Sequence, residues 1–128
     1  MSDPKATVVM ELPSRGLNQC GYYKGKINNS KSSSFGGDIT IYNGAIVMNS
    51  QAIVPGKVIK TYESVSIDVL ISDIISVERF KYKMANNYIK VVTKDGEGHY
   101  FLLQPYKKEI DNIVETISRL RNELNNEV

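Results

Sequence analysis

The chain has 128 residues, of which 41% are hydrophobic and 23% are charged, and its formal net charge is +2. This length and composition predict one globular domain that buries about two-thirds of its unfolded surface and needs neither a metal nor a disulfide for stability. The small net charge argues against a nucleic-acid partner. The first 14 residues lack the apolar run of a signal peptide, and no stretch approaches the roughly 18 apolar residues of a membrane span, so we expect a cytoplasmic protein.

The first part of the chain carries weak structural signals. Residues 1–18 show no sustained hydrophobic period, which predicts a mobile lead-in or a short accessory element. Residues 19–27 predict a first strand, and the Ser, Asn and Gly residues of 28–37 predict a loop.

Residues 38–49 predict a β-hairpin with strands at 38–42 and 45–50. Asn43-Gly44 is a preferred pair for the two positive-φ positions of a type I′ turn, and such a turn sets the register of the two strands. In that register four apolar side chains share one face, which we assign to the core: Ile39, Ile41, Ile46 and Met48.

A long connection and two further strands follow this hairpin. Residues 51–64 contain a Pro-Gly turn and a basic middle, in which Val58-Ile59 predicts a brief strand. Residues 65–71 alternate apolar and polar side chains, as expected for a half-buried strand.

Residues 74–83 predict a strand whose alternation slips by one residue after Val77, so we expect a β-bulge there. Beyond the slip, three cations project from a single face of the strand: Arg79, Lys81 and Lys83.

Residues 87–93 and 97–103 predict a second hairpin. Lys94-Asp95-Gly96 reads as a three-residue loop in which Gly96 takes the left-handed position of a G1 bulge. Four apolar side chains then share a face: Ile89, Val91, Phe101 and Leu103.

Residues 105–124 predict the one long helix of the chain, with Pro105 suited to its first turn. Six apolar side chains fall on an arc of about 120°, which is wide enough to cover a sheet. They are Ile110, Ile113, Val114, Ile117, Leu120 and Leu124. The same residues make only about two and a half heptads, fewer than a coiled coil needs, so we expect a packed cap.

The predicted elements are seven strands followed by one helix, which defines a mainly β fold class. Short connections favour antiparallel neighbours, because parallel pairs need crossovers of about a dozen residues or more. A bent antiparallel sheet capped by the C-terminal helix satisfies this pattern. We assign the domain to residues 19–124, with a poorly defined lead-in at 1–18 and a tail at 125–128.

Four segments of the chain resemble GRAM and bacterial PH-like domains, which belong to the pleckstrin-homology superfold. They occur in the order found in that family: residues 20–25, 36–47, 71–78 and 89–96. The segment 36–47, which reads GGDITIYNGAIV, is similar to the first hairpin of those domains. The resemblance covers residues 19–124 and implies an antiparallel seven-stranded split barrel capped by the C-terminal helix.

This resemblance implies a non-catalytic scaffold, because members of the family bind anionic lipids in some cases and protein segments in others. Lipid-binding members carry basic residues in the first strand, in the loop that follows and in the second strand. Lys24, Lys26 and Lys31 match the first two positions, whereas the predicted second strand at 38–42 has no Lys or Arg.

No residue set predicts a catalytic site, a metal site or a cofactor. His99 is the only histidine and Cys20 is the only cysteine, so a metal would lack ligands and a nucleophilic cysteine would have His99 as its sole base. The eight tyrosines are not interleaved with a basic stripe on one strand, which argues against nucleic-acid binding.

The candidate ligand-binding residues are six cations from two parts of the chain: Lys24, Lys26, Lys31, Arg79, Lys81 and Lys83. We expect them to dock the protein weakly on the anionic inner face of a membrane. Two alternatives stay open. One is a solvated strand edge that its lysines protect from aggregation. The other is a protein-interaction or homo-oligomeric module that pairs through an exposed sheet edge.

Overall fold

The computed structural model of the chain describes residues 3–14, 20–25, 34–53, 56, 58–59, 61–82 and 85–125. These residues form eight β-strands and one α-helix: β1 (Val8–Leu12), β2 (Cys20–Lys24), β3 (Ser34–Tyr42), β4 (Ala45–Ile53), β5 (Tyr62–Leu70), β6 (Ile74–Tyr82), β7 (Ala85–Thr93), β8 (Gly98–Leu103) and α1 (Ile110–Asn125). Short 3-10 turns at Ile71–Asp73 and Gln104–Tyr106 precede β6 and α1.

All strand pairs are antiparallel and belong to one sheet. The strand order is β5-β4-β3-β2-β8-β7-β6, and β1 pairs with β3. This confirms a mainly β fold with an antiparallel sheet and a C-terminal helix. The sheet has eight strands rather than the predicted seven and is open, with β5 and β6 as its terminal strands.

The additional strand, β1, lies within the predicted lead-in at 1–18. It pairs with the second half of β3, with Leu12 opposite Ile39, while β2 pairs with the first half, with Cys20 opposite Gly37. Only Leu12 of this five-residue strand is fully buried. The strand therefore leaves no repeated apolar pattern in the sequence, and it corresponds to the short accessory element rather than to a mobile lead-in.

The β3–β4 hairpin has the predicted register, with Ile41 opposite Ile46 and Ile39 opposite Met48. These four side chains are at most 3% exposed, which confirms their assignment to the core. The core cluster they join takes side chains from every strand and from α1.

The turn of this hairpin differs from the prediction. The φ angle of Gly44 is not positive, so the predicted type I′ turn was wrong. A Cβ atom at Gly44 would instead lie 2.6 Å from the Cα atom of Pro4. The N–H groups of Gly44 and Asn43 donate to the carbonyl oxygens of Pro4 (3.0 Å) and Thr7 (2.9 Å). Glycine is required here because the N-terminal segment approaches the turn closely.

The β7–β8 hairpin agrees with the prediction. Gly96 has a φ of +85°, and its N–H donates to the carbonyl oxygen of Thr93 at 2.9 Å. Ile89 lies opposite Phe101, and all four predicted core side chains of the two strands are buried.

The pairing of β6 with β7 is irregular at two places, and neither is the predicted bulge after Val77. The register shifts lie between Ile74 and Ser76 and between Phe80 and Tyr82. Ile74 follows directly on a 3-10 turn and is 3% exposed, so the first shift lets the strand begin with a core side chain.

The helix α1 packs beside β6 and β7 and confirms the predicted cap. It begins later than predicted, because Gln104–Tyr106 forms a 3-10 turn in which the buried Tyr106 hydroxyl donates to the carbonyl oxygen of Pro13 at 2.5 Å. Its buried side chains are Ile110, Ile113, Thr116, Ile117 and Leu120. In the described part of the chain, no helix has the length and apolar content needed to cross a bilayer.

Substitution of Ile113 by alanine tests this packing. Ile113 is 1% exposed, so we expect Ile113→Ala to lower the free energy of unfolding by about 2–5 kcal/mol through lost burial and a residual cavity. Glu115 lies on the exposed side of the same helix, and Glu115→Ala should change stability by less than about 0.5 kcal/mol. Urea unfolding of both variants measures the difference. Equal effects would contradict the docking of α1 on the sheet.

Candidate functional site

A cleft of about 480 Å³ opens where the ends of several strands meet, and this volume lies in the range of small-ligand sites. Its lining combines two lysines, one histidine, three carboxylates and a few uncharged side chains: Lys24, Asp68, Val69, Leu70, Asp73, Thr93, Lys94, Asp95 and His99. The cleft is therefore a polar site of mixed charge.

The strand order brings these residues together. β2 ends at Lys24, which lies opposite His99 near the start of β8. Only the three residues Ile71–Asp73 connect β5 to β6, and the N–H of Lys94 donates to the carbonyl oxygen of Asp73 at 2.9 Å. The sheet must therefore bend so that the last residues of β5 also reach the cleft.

Four side chains are linked by hydrogen bonds beside the cleft, and three of them, Thr93, Asp95 and His99, line it. The Thr93 hydroxyl donates to Oδ1 of Asp95 at 2.5 Å. The same hydroxyl lies 3.2 Å from Nε2 of His99, and the Tyr22 hydroxyl lies 2.6 Å from Nδ1. Because Thr93 has used its only proton, Nε2 of His99 carries the hydrogen and donates, and the Tyr22 hydroxyl donates to Nδ1. With this assignment each of the four side chains has a hydrogen-bond partner, and His99 is neutral.

The surroundings of these groups favour the same protonation states. Burial lowers the pKa of His99, and the positive charge of Lys24 adds to this effect. Burial raises the pKa of Tyr22 to about 12, with smaller contributions from the negative charges of Glu97 and Asp95. At neutral pH the imidazole is therefore uncharged and the phenol keeps its proton.

Two of the three carboxylates of the cleft are already satisfied within the protein. Oδ2 of Asp68 accepts a hydrogen bond from Nζ of Lys5 at 2.5 Å, and this bond lowers the pKa of Asp68. Asp95 accepts hydrogen bonds within the β7–β8 turn, which lower its pKa. Among the described residues, neither Lys24 nor Lys94 has an ion-pair partner. The cleft thus presents two ammonium groups to the solvent.

Of the predicted cations that the structure describes, Lys24 and Arg79 lie apart. Lys24 lines the cleft, whereas Nη1 of Arg79 donates to Oδ2 of Asp111 at 3.1 Å and Nη2 donates to the carbonyl oxygen of Lys107 at 3.4 Å. Lys81 is exposed, as Arg79 is, and lies at the second register shift of β6, between Phe80 and Tyr82. The strands β8 and β7 separate β2 from β6, a distance of about 14 Å. Three other candidates lie outside the described residues: Lys26, Lys31 and Lys83.

The sequence did not identify the other members of the cleft. Thr93, Lys94 and Asp95 belong to a hairpin whose turn was predicted as the loop Lys94-Asp95-Gly96, without a role for its side chains. His99 reaches the cleft because β8 pairs with β2, which is a long-range contact that local periodicity does not report.

Cys20 and His99 are not neighbours. Cys20 lies opposite Leu103 and His99 lies opposite Lys24, so four residues, or about 13 Å, separate them along the paired strands. Cys20 is buried, and burial raises the pKa of its thiol to about 11. Among the described residues, no group of three or more His, Cys, Asp and Glu side chains has an arrangement that suits a metal ion.

Neither a protein-family model nor a curated protein matches the chain. The crystal structure of the C-terminal domain of an unknown protein from Leishmania infantum is similar over 79% of this chain and 81% of that chain. The two sequences are 14% identical, and the TM-score is 0.49. At these values the likeness says nothing about ligand or activity.

The protonation of His99 can be measured through the pH dependence of stability, because His99 is the only histidine of the chain. Folding lowers the pKa of His99. At pH values below the ordinary histidine pKa of about 6.5, the unfolded chain therefore binds more protons than the folded chain. The free energy of unfolding should therefore be highest above this value and fall as the pH drops from about 7.5 to about 5.5. Urea unfolding at several pH values measures the slope. His99→Gln should flatten it, and an unchanged slope in this variant would contradict the assignment.

Proposed function

We propose that the chain is a non-catalytic binding module of the pleckstrin-homology superfold, related to GRAM and bacterial PH-like domains, that docks weakly on anionic membranes in the cytoplasm. The strand order supports this proposal, because β2–β5 and β6–β8 form two antiparallel meanders that the pairing of β2 with β8 joins, and a C-terminal helix follows. On this proposal the bent sheet is the split barrel, α1 is its cap and β1 is an addition of this chain.

The observation that carries the proposal is the pair of ammonium groups at the cleft. Lys24 and Lys94 have no ion-pair partner among the described residues, whereas Asp68 and Asp95 are hydrogen-bonded within the protein. A lipid phosphate at the cleft would meet two cations, each worth about 1 kcal/mol near an anionic bilayer. The carboxylate of Asp73 also lines the cleft and would accept hydrogen bonds from headgroup hydroxyls or amines.

The other predicted cations contribute unequally to this surface. Lys26 and Lys31 follow Lys24 in the sequence and lie outside the described residues. Arg79 is hydrogen-bonded to the N-terminal part of α1 and the turn before it, so we assign it to the structure rather than to docking. Lys81 lies towards the end of β6, whereas the cleft adjoins the start of this strand, so Lys81 forms no part of the proposed site. Lys83 lies outside the described residues.

A second candidate function is pairing with a protein strand or with a second copy of the chain. The terminal strand β5 has nine residues and contains neither proline nor lysine, and within the described residues it pairs only with β4. Such an edge accepts a further strand through its backbone groups. The opposite edge is less open, because Arg121 donates to the carbonyl oxygen of Ile75 at 2.5 Å and α1 packs beside β6.

Vesicle sedimentation tests membrane docking. We expect the chain to sediment with phosphatidylserine-containing vesicles, to stay in solution with phosphatidylcholine alone and to be released by added salt. Lys24→Gln/Lys94→Gln should weaken retention roughly thirtyfold if each charge contributes about 1 kcal/mol.

The matched control is Lys107→Gln/Lys108→Gln, which removes the same charge from two exposed residues that follow the 3-10 turn before α1. Equal losses in both double variants would contradict a localised site, and equal retention on neutral vesicles would contradict electrostatic docking. A concentration-dependent mass in analytical ultracentrifugation, without vesicle retention, would favour the strand-pairing alternative.

A further inference from the structure

The terminal strand β5 is longer and more regular than the sequence predicted. It begins at Tyr62, whereas the alternation predicted a strand at 65–71. Val58 and Ile59 form a bend before it, not the predicted brief strand. All nine residues of β5 pair with β4 without a register shift. The strand therefore gives the sheet a straight edge along its whole length.

The two terminal strands of the sheet are protected to different degrees. β6 carries Arg79 and Lys81, has two register shifts with β7, and its Ile75 carbonyl oxygen accepts a hydrogen bond from Arg121. Cations, irregular pairing and covering contacts are usual devices that keep a sheet edge from pairing with another chain. β5 contains no lysine, arginine or proline, and within the described residues it pairs with no strand other than β4.

The side chains of β5 divide into an apolar side and a polar side. Val69 is buried in the core, Ile67 packs partly buried against it, and Val65 is half-buried. Exposed polar side chains alternate with them on the other face: Ser64, Ser66 and Asp68. The charge of Asp68 is already paired with Lys5. The edge therefore carries no cluster of unpaired charge that would select a basic partner.

We infer that β5 pairs antiparallel with β5 of a second copy of the chain, about a two-fold axis at Ser66. The inference names the partner and the register of the strand-pairing alternative, and it does not require membrane docking. Ser66 is the middle residue of the nine, so this register pairs the whole strand. A two-fold axis uses the same surface on both copies, which is how most homodimers form.

The sequence of β5 is compatible with its own reverse in this register. Residues directly opposite each other share a face of the sheet, and like charges in such positions are destabilising. Val65 lies opposite Ile67 of the second copy on the apolar side, and Ser64 lies opposite its Asp68 on the polar side. The acidic residues Glu63 and Asp68 therefore do not meet. The pairing joins apolar to apolar and polar to polar without a clash of charge.

The size of the contact sets the expected strength of the dimer. A stable interface typically uses about 20–30 residues on each side, and one nine-residue strand supplies fewer. We therefore expect a weak and reversible dimer. In sedimentation equilibrium the mass should be that of the 14.4 kDa chain at roughly 10 μM and should approach twice this mass at roughly 1 mM.

Ser66→Cys tests the register. Directly opposite residues have Cα atoms about 4.5–5.5 Å apart, which a disulfide can span. Oxidation with diamide should link this variant into dimers. Ser76→Cys is the matched control, because Ser76 is an exposed serine of the other terminal strand. Ser64→Cys is the register control, since its two copies would lie about 13 Å apart along the pair. Both controls should link far more slowly, and Cys20 is only 1% exposed.

Ser66→Lys tests the same contact without a covalent bond. It sets two ammonium groups directly opposite each other, so the dissociation constant of the dimer should rise about fivefold or more. Ser76→Lys adds the same charge to β6 and should leave the constant unchanged. Thermal unfolding of both variants should match that of the native chain, because both serines are exposed. A loss of the dimer is then not a loss of folding.

The outcomes separate this inference from membrane docking. A native chain that keeps the mass of one copy at roughly 1 mM overturns the inference. A dimer that survives Ser66→Lys, or in which Ser66→Cys links no faster than Ser76→Cys, is held by another surface and also overturns it. A dimer that passes these tests but sediments with no vesicle supports the inference and overturns docking, whereas a chain that stays monomeric and sediments with anionic vesicles does the reverse.

Discussion

The pairing of β2 with β8 is the constraint on which both the sheet and the cleft depend. Within the described residues, β2 is the strand that joins β3, β4 and β5 to β6, β7 and β8. It brings Tyr22 within 2.6 Å of His99, a residue 77 positions away. Contacts this distant in sequence carry a loop-closure cost, and the burial of Tyr22 and Phe101 on the inner face of the pair offsets it. Without this pairing, β2 with Lys24 and the β7–β8 hairpin with Lys94 would not be held side by side.

The fold was predictable wherever the signal was local. The β3–β4 register and the Gly96 turn follow from apolar alternation and turn chemistry over a few residues, and the cap follows from the stripe on α1. The errors have non-local causes. β1 is held by β3 and not by its own pattern, and Gly44 is a glycine because Pro4 packs against it. A contact with a distant segment leaves no periodic trace in the sequence, so such features appear only when the chain has folded.

The candidate site was less predictable than the fold, for a related reason. Composition and resemblance pointed to Lys24, but a list of cations does not say which of them are already paired. The docking of α1 places Asp111 beside Arg79, and the N-terminal segment places Lys5 beside Asp68. The charges that stay available for a ligand are those left over after these tertiary contacts have formed. Lys94 emerged as a site residue in this way, because the sequence shows only that it belongs to a basic stretch and not which of the cations in that stretch reach the cleft.

On the proposed function, the cleft makes a weak contact with a membrane. Each ammonium group near an anionic bilayer contributes about 1 kcal/mol, so Lys24 and Lys94 together contribute about 2 kcal/mol. A contact of this size does not hold a protein on a membrane by itself, since stable anchoring generally takes two signals. The proposed site therefore suits a protein that binds a charged surface reversibly and that added salt releases.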